Sequence, residues 1–221
     1  MKLKIIHYSK LKERLDNLIP ALQQEGINYS IVSVFDPEKI TKIEFEKFDR
    51  TKLKDSEISC FLKHLYVLTT KEDNNFIIIL EDDAILVKRF RKKLISHINK
   101  LPKDFGFLFF DQITNSFKVK LNLLNFYKKI HIIDFYEKPD FNKFSNKKSG
   151  KTRGMAGYVF NTEFSEAIRD EFEKQSKITI PIDHWLNHFI NKYSLKIFWS
   201  QPPLSNQGSK SGKYESQTDT D

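Results

Sequence analysis

A run of five apolar residues, Phe76–Leu80, leads directly into three consecutive acids, Glu81, Asp82 and Asp83. A short, continuous apolar run of this kind is typical of a strand that is buried on both faces of a sheet. Both faces of such a sheet must be covered by helices, which restricts the chain to an α/β fold. The three acids then follow a buried strand, in a place where unpaired carboxylates are costly.

The flanking segments show the alternation of strands and helices that this fold requires. Lys2–Ile6 is predicted to be a strand, and the residues from Lys10 to about Glu25 have apolar positions at helical spacing. The segment INYSIVSVF alternates like a strand, which completes a β-α-β unit. Further helices are predicted for residues 57–71, KRFRKKLISHINKL, residues 162–175 and IPIDHWLNHFINKY, and further strands for FGFLFF, YKKIHIIDFY, GMAGYVFN and LKIFWS. We therefore predict an α/β fold with a mostly parallel central sheet flanked by helices.

The length of 221 residues fits a single domain. We predict one domain over residues 1–204, a polar loop over residues 138–153, and a polar tail over residues 205–221 that is loose toward its end. The single cysteine, Cys60, excludes an intramolecular disulfide and a zinc site built on several thiolates. Because the chain also lacks an apolar run of about 18 residues and a signal-peptide pattern, we expect a cytoplasmic location.

The charge is strongly basic, with 37 Lys and Arg residues against 29 acids and a net charge of +8. Such a balance indicates either an ordinary solvated surface or an anionic partner, such as a phosphate ligand, a nucleic acid or the cytoplasmic leaflet of a membrane. No zinc-finger, RNA-recognition or helix-turn-helix pattern is present, so a nucleic-acid partner is not expected.

The three acids after the buried strand have two explanations. In open α/β sheets, ligands bind beyond the carboxyl ends of the strands, and a divalent cation would offset the cost of burying several carboxylates there. Hard oxygen ligands suit Mg²⁺ or Mn²⁺, which would in turn hold a diphosphate leaving group. The alternative is a helix N-terminus, where acids interact favourably with the helix dipole.

Several blocks occur together in an order that resembles glycosyltransferase family 25. They are LKDSEISCFLKHLYVL, FIIILEDDAIL, GMAGYVFN, IPIDHWL and PPLSNQ. The family includes lipooligosaccharide galactosyltransferases and collagen galactosyltransferase domains, and the resemblance extends from the first strand to about Ser211. It implies a GT-A-type fold, a UDP-sugar donor, usually UDP-galactose, and inversion to a β-linkage.

In that family an acidic DxD-like motif binds the metal and the nucleotide, and the matching residues here are Glu81, Asp82 and Asp83. The resemblance implies that Asp83 is the main metal ligand, with Glu81 as a second. Glu81 or Asp82 would contact the nucleotide ribose or a metal-bound water.

The helix that begins near Glu57 carries the next block, whose family pattern is EIGCxLSH. Glu57 and His64 lie on one face of that helix and could reach the donor, although His64 could equally be a hydrogen-bonded, buried histidine. Ser59 and Lys63 depart from the pattern, which has Gly and Ser there. Cys60 is expected to be a small core residue.

Asp183, in IPIDHWL, is the candidate general base. An inverting transfer needs a group that takes the proton of the acceptor hydroxyl, and the family match places Asp183 in that role. The alternative is an ordinary acid in the first turn of a helix. Trp185 could stack on a sugar or lie in the core.

The resemblance implies further donor contacts. Tyr8 and Arg14 occupy the region that holds the uracil and ribose in such folds, and Gln207 matches the family's PPLxxQ. Arg153, just before GMAGYVFN, could meet the diphosphate or lie in a basic loop in water.

The sequence therefore predicts a metal-dependent, inverting transfer of a hexose, with galactose favoured, from a UDP-sugar to a glycan or lipid-linked saccharide. The net charge is compatible with peripheral contact at the anionic inner face of a membrane. Two rivals remain open: another metal-dependent nucleotide-processing enzyme on an α/β fold, and an inactive binding module. The absence of a P-loop and of GxGxxG argues against nucleoside triphosphatases and dinucleotide enzymes.

Overall fold

The computed structural model describes residues 2–71, 74–111, 155–200, 202–209 and 211–214, together with the backbone of residues 135–137. The predicted loop over residues 138–153 lies outside the described residues. The helices are α1 Lys12–Gln24, α2 Lys42–Glu46, α3 Asp55–Thr69, α4 Phe90–Ile98, α5 Ser165–Lys174 and α6 Ile182–Lys192. The strands are β1 Leu3–Ile6, β2 Tyr29–Val32, β3 Phe76–Glu81, β4 Ala84–Leu86, β5 Phe105–Phe109, β6 Phe135–Glu137, β7 Gly157–Asn161, β8 Lys196–Ser200 and β9 Ser205–Gln207.

Seven strands form the central sheet in the order β2-β1-β3-β7-β5-β8-β6. Strand β1 is parallel to both β2 and β3, and β5 is parallel to β8. Strand β7 is antiparallel to β3 and β5, and β6 is antiparallel to β8. Among the described residues, five of the seven strands thus run in one direction. The prediction of a mostly parallel central sheet is confirmed.

The alternation of β3 explains how helices cover both faces of the sheet. Ile77 and Ile79 pack into a core with residues of α3, α5 and α6, whereas Ile78 and Leu80 pack with residues of α1 and α4. All four side chains are at most 1% exposed. A strand buried on both faces needs the continuous apolar run found here, because no face of it meets water.

The chain after β8 returns to the carboxyl end of β3. Strand β9 pairs with β4 in a two-stranded sheet, in which Ala84 lies opposite Gln207. The nitrogen of Gly208 then donates to the carbonyl oxygen of Asp83 over 2.8 Å, and a Cβ at position 208 would lie 2.9 Å from that oxygen. The first residues beyond the predicted domain boundary at 204 are therefore part of the region around the acids. The C-terminal boundary of the domain at residue 204 stays a prediction.

No helix in the described part of the chain is both long and apolar enough to span a membrane.

Candidate active site

The three acids after the buried strand point to three different sets of partners. Glu81 is the last residue of β3, and Asp82 and Asp83 form the turn before β4. Because the strand ends at Glu81 and the chain turns directly after it, the three carboxylates contact different parts of the protein.

Asp82 is neutralised by the loop after β1 and by α1. Its Oδ1 accepts from Arg14 Nη1 at 2.9 Å, and its Oδ2 lies 2.8 Å from His7 Nδ1 and accepts from the backbone nitrogen of Tyr8 at 3.3 Å. The Arg14 and Asp82 side chains are 10% and 6% exposed. A charged pair with this many hydrogen bonds is stable when buried. It fixes the Tyr8 loop against the end of β3.

Asp83 is only half satisfied. Its Oδ2 accepts hydrogen bonds from the nitrogen and Oγ of Ser209, at 3.1 and 2.6 Å. Its Oδ1 is buried and has no hydrogen-bond partner among the described residues. Burial, and then the charge of Glu81, raise the pKa of Asp83 from 3.8 to about 6, although the Ser209 hydrogen bonds act in the opposite direction. Within the described part of the chain, this buried carboxylate thus receives hydrogen bonds from Ser209 and no salt bridge from a cation.

Glu81 is bonded by His64 and Gln207. Its Oε1 lies 3.3 Å from His64 Nε2, and its Oε2 accepts from Gln207 Nε2 at 3.4 Å. His64 is completely buried, and its Nδ1 lies 2.9 Å from the hydroxyl of Tyr158. The Oε1 atom of Gln207 is buried and has no partner within the described residues, as is true of Asp83 Oδ1.

Cys60 lies one turn before His64 on α3, beside the same carboxylate. Ligand atoms of Cys60, His64 and Glu81 all lie within 4.8 Å of one another. Burial raises the pKa of the Cys60 thiol well above its usual value, with further contributions from the charges of Glu81 and Asp183. The thiol is therefore protonated at neutral pH and is not an activated nucleophile.

The sequence model of glycosyltransferase family 25, described as LPS biosynthesis protein, matches residues 1–186. The chain belongs to this family. Its architecture is a mixed α/β arrangement with a mostly parallel central sheet flanked by helices, as the sequence predicted. No curated protein sequence matches the chain.

Solved structures of glycosyltransferases are also similar to this family 25 chain, at low sequence identity. The galactosyltransferase LgtC in complex with donor and acceptor sugar analogues is 9% identical, with a TM-score of 0.47 over 90% of this chain and 73% of that one. A glycosyltransferase involved in glycosylation of the major capsid of PBCV-1 is 8% identical, with a TM-score of 0.48 over 96% of both chains. Mouse xyloside xylosyltransferase 1 is 12% identical, with a TM-score of 0.40 over 89% and 70%.

The structure brings part of the predicted site of this glycosyltransferase together. Glu81 contacts His64 and Gln207, and Asp83 lies in the adjoining turn. Arg14 contacts Asp82, so its guanidinium neutralises a carboxylate of the protein. Their proposed roles toward the donor stay predictions.

Other predicted residues lie elsewhere or have other partners. Glu57 accepts from the backbone nitrogen of Lys54 at 2.8 Å, as part of the N-terminal cap of α3. Trp185 is 2% exposed and packs against Phe61, so it is a core residue and does not stack on a sugar. Arg153 lies outside the described residues.

Asp183 lies in the first turn of α6, which packs against α3. Its side chain is 22% exposed and its Oδ1 accepts from the nitrogen of His184 at 2.9 Å. The carboxylate is therefore both held in place and accessible from solvent, as a general base must be. The charge of Asp183, like that of Glu81, contributes to the raised pKa of the Cys60 thiol.

Sequence reasoning missed the buried pair of Asp36 and Lys63. Lys63 Nζ donates to Asp36 Oδ1 at 2.6 Å and to the carbonyl oxygen of His7 at 2.8 Å. Asp36 also accepts from Ser9 Oγ at 2.5 Å and from Lys39 Nζ at 3.0 Å. Burial by itself would raise the pKa of Asp36, but the hydrogen bonds from Lys63, Ser9 and Lys39 lower it from 3.8 to about 2.

A signal for this pair was present in the sequence. Lys63 interrupts the EIGCxLSH pattern with a charge, between Leu62 and His64 on a largely apolar helix, and Asp36 follows the predicted second strand. A lysine buried to 2% exposure requires an anionic partner. The departure from the family pattern is therefore a structural pair that holds the Tyr8 loop.

Proposed function

We propose that this chain transfers a hexose, with galactose as the leading candidate, from a UDP-sugar to a glycan hydroxyl with inversion to a β-linkage. Membership of family 25 supports glycosyl transfer in LPS biosynthesis. The observation that carries the finer proposal is the buried, half-satisfied carboxylate of Asp83 at the carboxyl end of β3. In α/β sheets that edge is where ligands bind.

The residues at this edge fit a divalent cation. Asp83 Oδ1 and Gln207 Oε1 are buried oxygens without donors among the described residues, and Glu81 adds a partly exposed carboxylate nearby. Oxygen donors of this type suit Mn²⁺ or Mg²⁺, and Asp83 with Glu81 would hold the ion. A bound ion would neutralise charge that develops on the diphosphate leaving group.

The protein prepares the donor site around this edge with its own charges. Asp82 accepts a hydrogen bond from the backbone nitrogen of Tyr8 and so fixes the Tyr8 loop. Arg14 neutralises the Asp82 carboxylate. The backbone of the half-buried Tyr8 is thereby held at Asp82, and the Tyr8 ring is the proposed contact for a uracil base. Arg14 acts on the donor through Asp82 and the loop, and Arg153 keeps its predicted role at the diphosphate.

Asp183 is proposed as the general base that takes the proton of the acceptor hydroxyl. Replacing Asp183 with Asn should lower kcat by about 10²–10⁴-fold, because the amide cannot accept that proton. Donor affinity should stay unchanged, since Asp183 does not hold the nucleotide. Asp170→Asn, at an exposed position on α5, is the matched control and should retain full activity. Equal activity of Asp183→Asn and the control would remove Asp183 from the role.

The experiment that tests the function offers a panel of UDP-sugars and Mn²⁺, with an LPS-derived oligosaccharide as acceptor. The proposal expects UDP and an elongated glycan as products, and a large anomeric proton coupling that identifies the β-linkage. Release of nucleoside phosphates without glycan elongation would favour the alternative, another metal-dependent nucleotide-processing enzyme. Absence of turnover and of donor binding would favour an inactive binding module.

We also propose peripheral contact with the cytoplasmic face of an anionic membrane, where a lipid-linked acceptor would lie. The segment from Lys88 to Lys103 contains no acid, and five of its cations are exposed around the start of α4: Lys88, Arg89, Arg91, Lys92 and Lys93. Each such cation near an anionic leaflet contributes about 1 kcal/mol. The double variant Lys92→Glu and Lys93→Glu should bind vesicles with 30% anionic lipid at least about tenfold more weakly, whereas unchanged binding would exclude this surface.

A further inference from the structure

Cys60, His64 and Glu81 form a cluster whose chemistry differs from that of the Asp83 edge. Cys60 and His64 are four residues apart on α3, so both project from one face of the helix, and Glu81 reaches them from the end of β3. Their sulfur, nitrogen and oxygen ligand atoms lie within 4.8 Å of one another. A thiolate, an imidazole and a carboxylate are the three side-chain ligand types that Zn²⁺ takes.

The spacing within the cluster is close to that of a zinc site. Two nitrogen or oxygen ligands on a tetrahedral zinc lie about 3.3 Å apart, given Zn–ligand bonds of roughly 2.0–2.2 Å. His64 Nε2 and Glu81 Oε1 are 3.3 Å apart before any ion is added. The sulfur of Cys60 lies within 4.8 Å of both atoms and has to come within about 3.5 Å of them when the ion binds.

Second contacts already orient two of the three ligands. Tyr158 engages Nδ1 of His64 at 2.9 Å, which leaves Nε2 directed at Glu81. Gln207 donates to the other oxygen of Glu81. Partners of this kind fix ring orientation and tautomer in zinc sites and strengthen binding.

We propose that Cys60, His64 and Glu81 bind Zn²⁺ with three protein ligands, that the Cys60 thiol releases its proton to solvent as the Zn–S bond forms, and that a fourth position stays open to solvent. The Glu81 side chain is 21% exposed, which provides access for the ion. This site is distinct from the harder, oxygen-only site at Asp83, because the thiolate selects softer ions than Mg²⁺ or Mn²⁺. Glu81 is shared between the two, so zinc would withdraw it from the donor site and inhibit transfer.

Metal binding can be measured without any assay of transfer, so a failure of this proposal is distinguishable from a failure of the proposed function. Co²⁺ serves as a spectroscopic substitute for Zn²⁺: wild-type protein should develop a sulfur-to-cobalt charge-transfer band in the near ultraviolet, which Zn²⁺ abolishes by displacement. Cys60→Ser should lack the band and bind Zn²⁺ at least about tenfold more weakly in competition with a chromophoric chelator. Ser59→Ala, at the adjacent buried position, is the matched control and should behave like wild type.

A second measurement needs no variant, because Cys60 is the only thiol in the chain. Zn²⁺ should slow alkylation of the wild-type thiol at least about tenfold, and EDTA should restore the rate. A wild-type protein without the cobalt band, or one whose alkylation Zn²⁺ does not slow, would overturn the proposal. So would a band that survives in Cys60→Ser or disappears in Asp83→Asn, since the ion would then lie at another site.

Discussion

Asp36 and Asp83 are both buried carboxylates that follow parallel strands of the central sheet. The surroundings of Asp36 favour its charged form, whereas those of Asp83 disfavour it. Asp36 is 0% exposed and receives hydrogen bonds from two lysines and a serine, which lower its pKa to about 2. Asp83 is 2% exposed and has one oxygen without a partner among the described residues, and burial raises its pKa to about 6.

The difference separates a carboxylate whose charge is stabilised by partners from the fold from one that is only half satisfied among the described residues. A buried charge is retained where its partners are supplied from within the protein, as Lys63 does for Asp36. Retaining a charge that the fold itself leaves half satisfied costs stability, and perturbed carboxylates of this kind cluster at functional sites. Four predictions test this contrast, in order of decreasing change in the free energy of unfolding.

Replacing Lys63 with Met should destabilise the protein by about 3–5 kcal/mol, because Asp36 then loses its buried partner. Chemical unfolding followed by circular dichroism gives the free energy. In the double variant Lys63→Met and Asp36→Asn most of this loss should be recovered, since no unpaired charge remains. A loss in the single variant below about 1 kcal/mol would mean that Asp36 does not depend on Lys63.

The Asp83→Asn variant should be more stable than wild type in EDTA at pH 8, by about 2–3 kcal/mol. The wild-type carboxylate is ionised there, and the rise of its pKa from 3.8 to about 6 is the stability that its buried charge costs. The amide removes the charge and keeps an acceptor for Ser209. Unfolding curves in EDTA test this, and a clearly less stable variant would show that the Asp83 charge supports the fold.

Acid should remove the contribution of Asp36. Its folded-state pKa lies below the ordinary value of 3.8, so its stabilisation is present above about pH 4 and is lost as the pH falls toward 2. The lost free energy is about 2 kcal/mol. Urea unfolding of wild type and Asp36→Asn between pH 6 and pH 2.5 should show the difference between them shrinking by this amount. A constant difference would contradict the lowered pKa.

Lys39→Met should cost less than about 1 kcal/mol of unfolding free energy, although Lys39 also contacts Asp36 at 3.0 Å. Its side chain is 53% exposed, against 3% for Lys63, and exposed ion pairs contribute little. Unfolding curves at low and high salt measure the effect, which should fall further as salt screens the pair. A cost equal to that of Lys63→Met would show that burial does not separate the two lysines.

The sequence predicted the layers of the fold because local patterns determine them. The apolar run Phe76–Leu80 and the helical spacing of α1 each specify burial without reference to distant residues. The pairing of β4 with β9 escaped prediction, because three-residue strands carry no periodicity and their contacts join residues more than 100 positions apart. The two-faced packing of β3, by contrast, follows from its composition alone.

The position of the candidate site in the chain was predictable from the sequence, but the different partners of its three acids were not. Three adjacent acids at a strand end marked the edge where ligands bind. Their separate roles depend on partners far along the chain, Arg14 for Asp82 and Ser209 for Asp83. No local pattern distinguishes Asp82, which Arg14 neutralises, from Asp83, which pairs with no cation in the described segments.

The measurement that tests the central claim most directly is the thermal stability of wild type and Asp83→Asn with UDP-galactose and Mn²⁺, separately and together. A ligand that binds only the folded state raises Tm by mass action. Tm should rise in wild type with both ligands present. Asp83→Asn should lose this rise, whereas Lys39→Met should keep it. An equal rise in Asp83→Asn, or a full rise in wild type without metal, would contradict the claim that Asp83 is held unneutralised for a metal-bound donor.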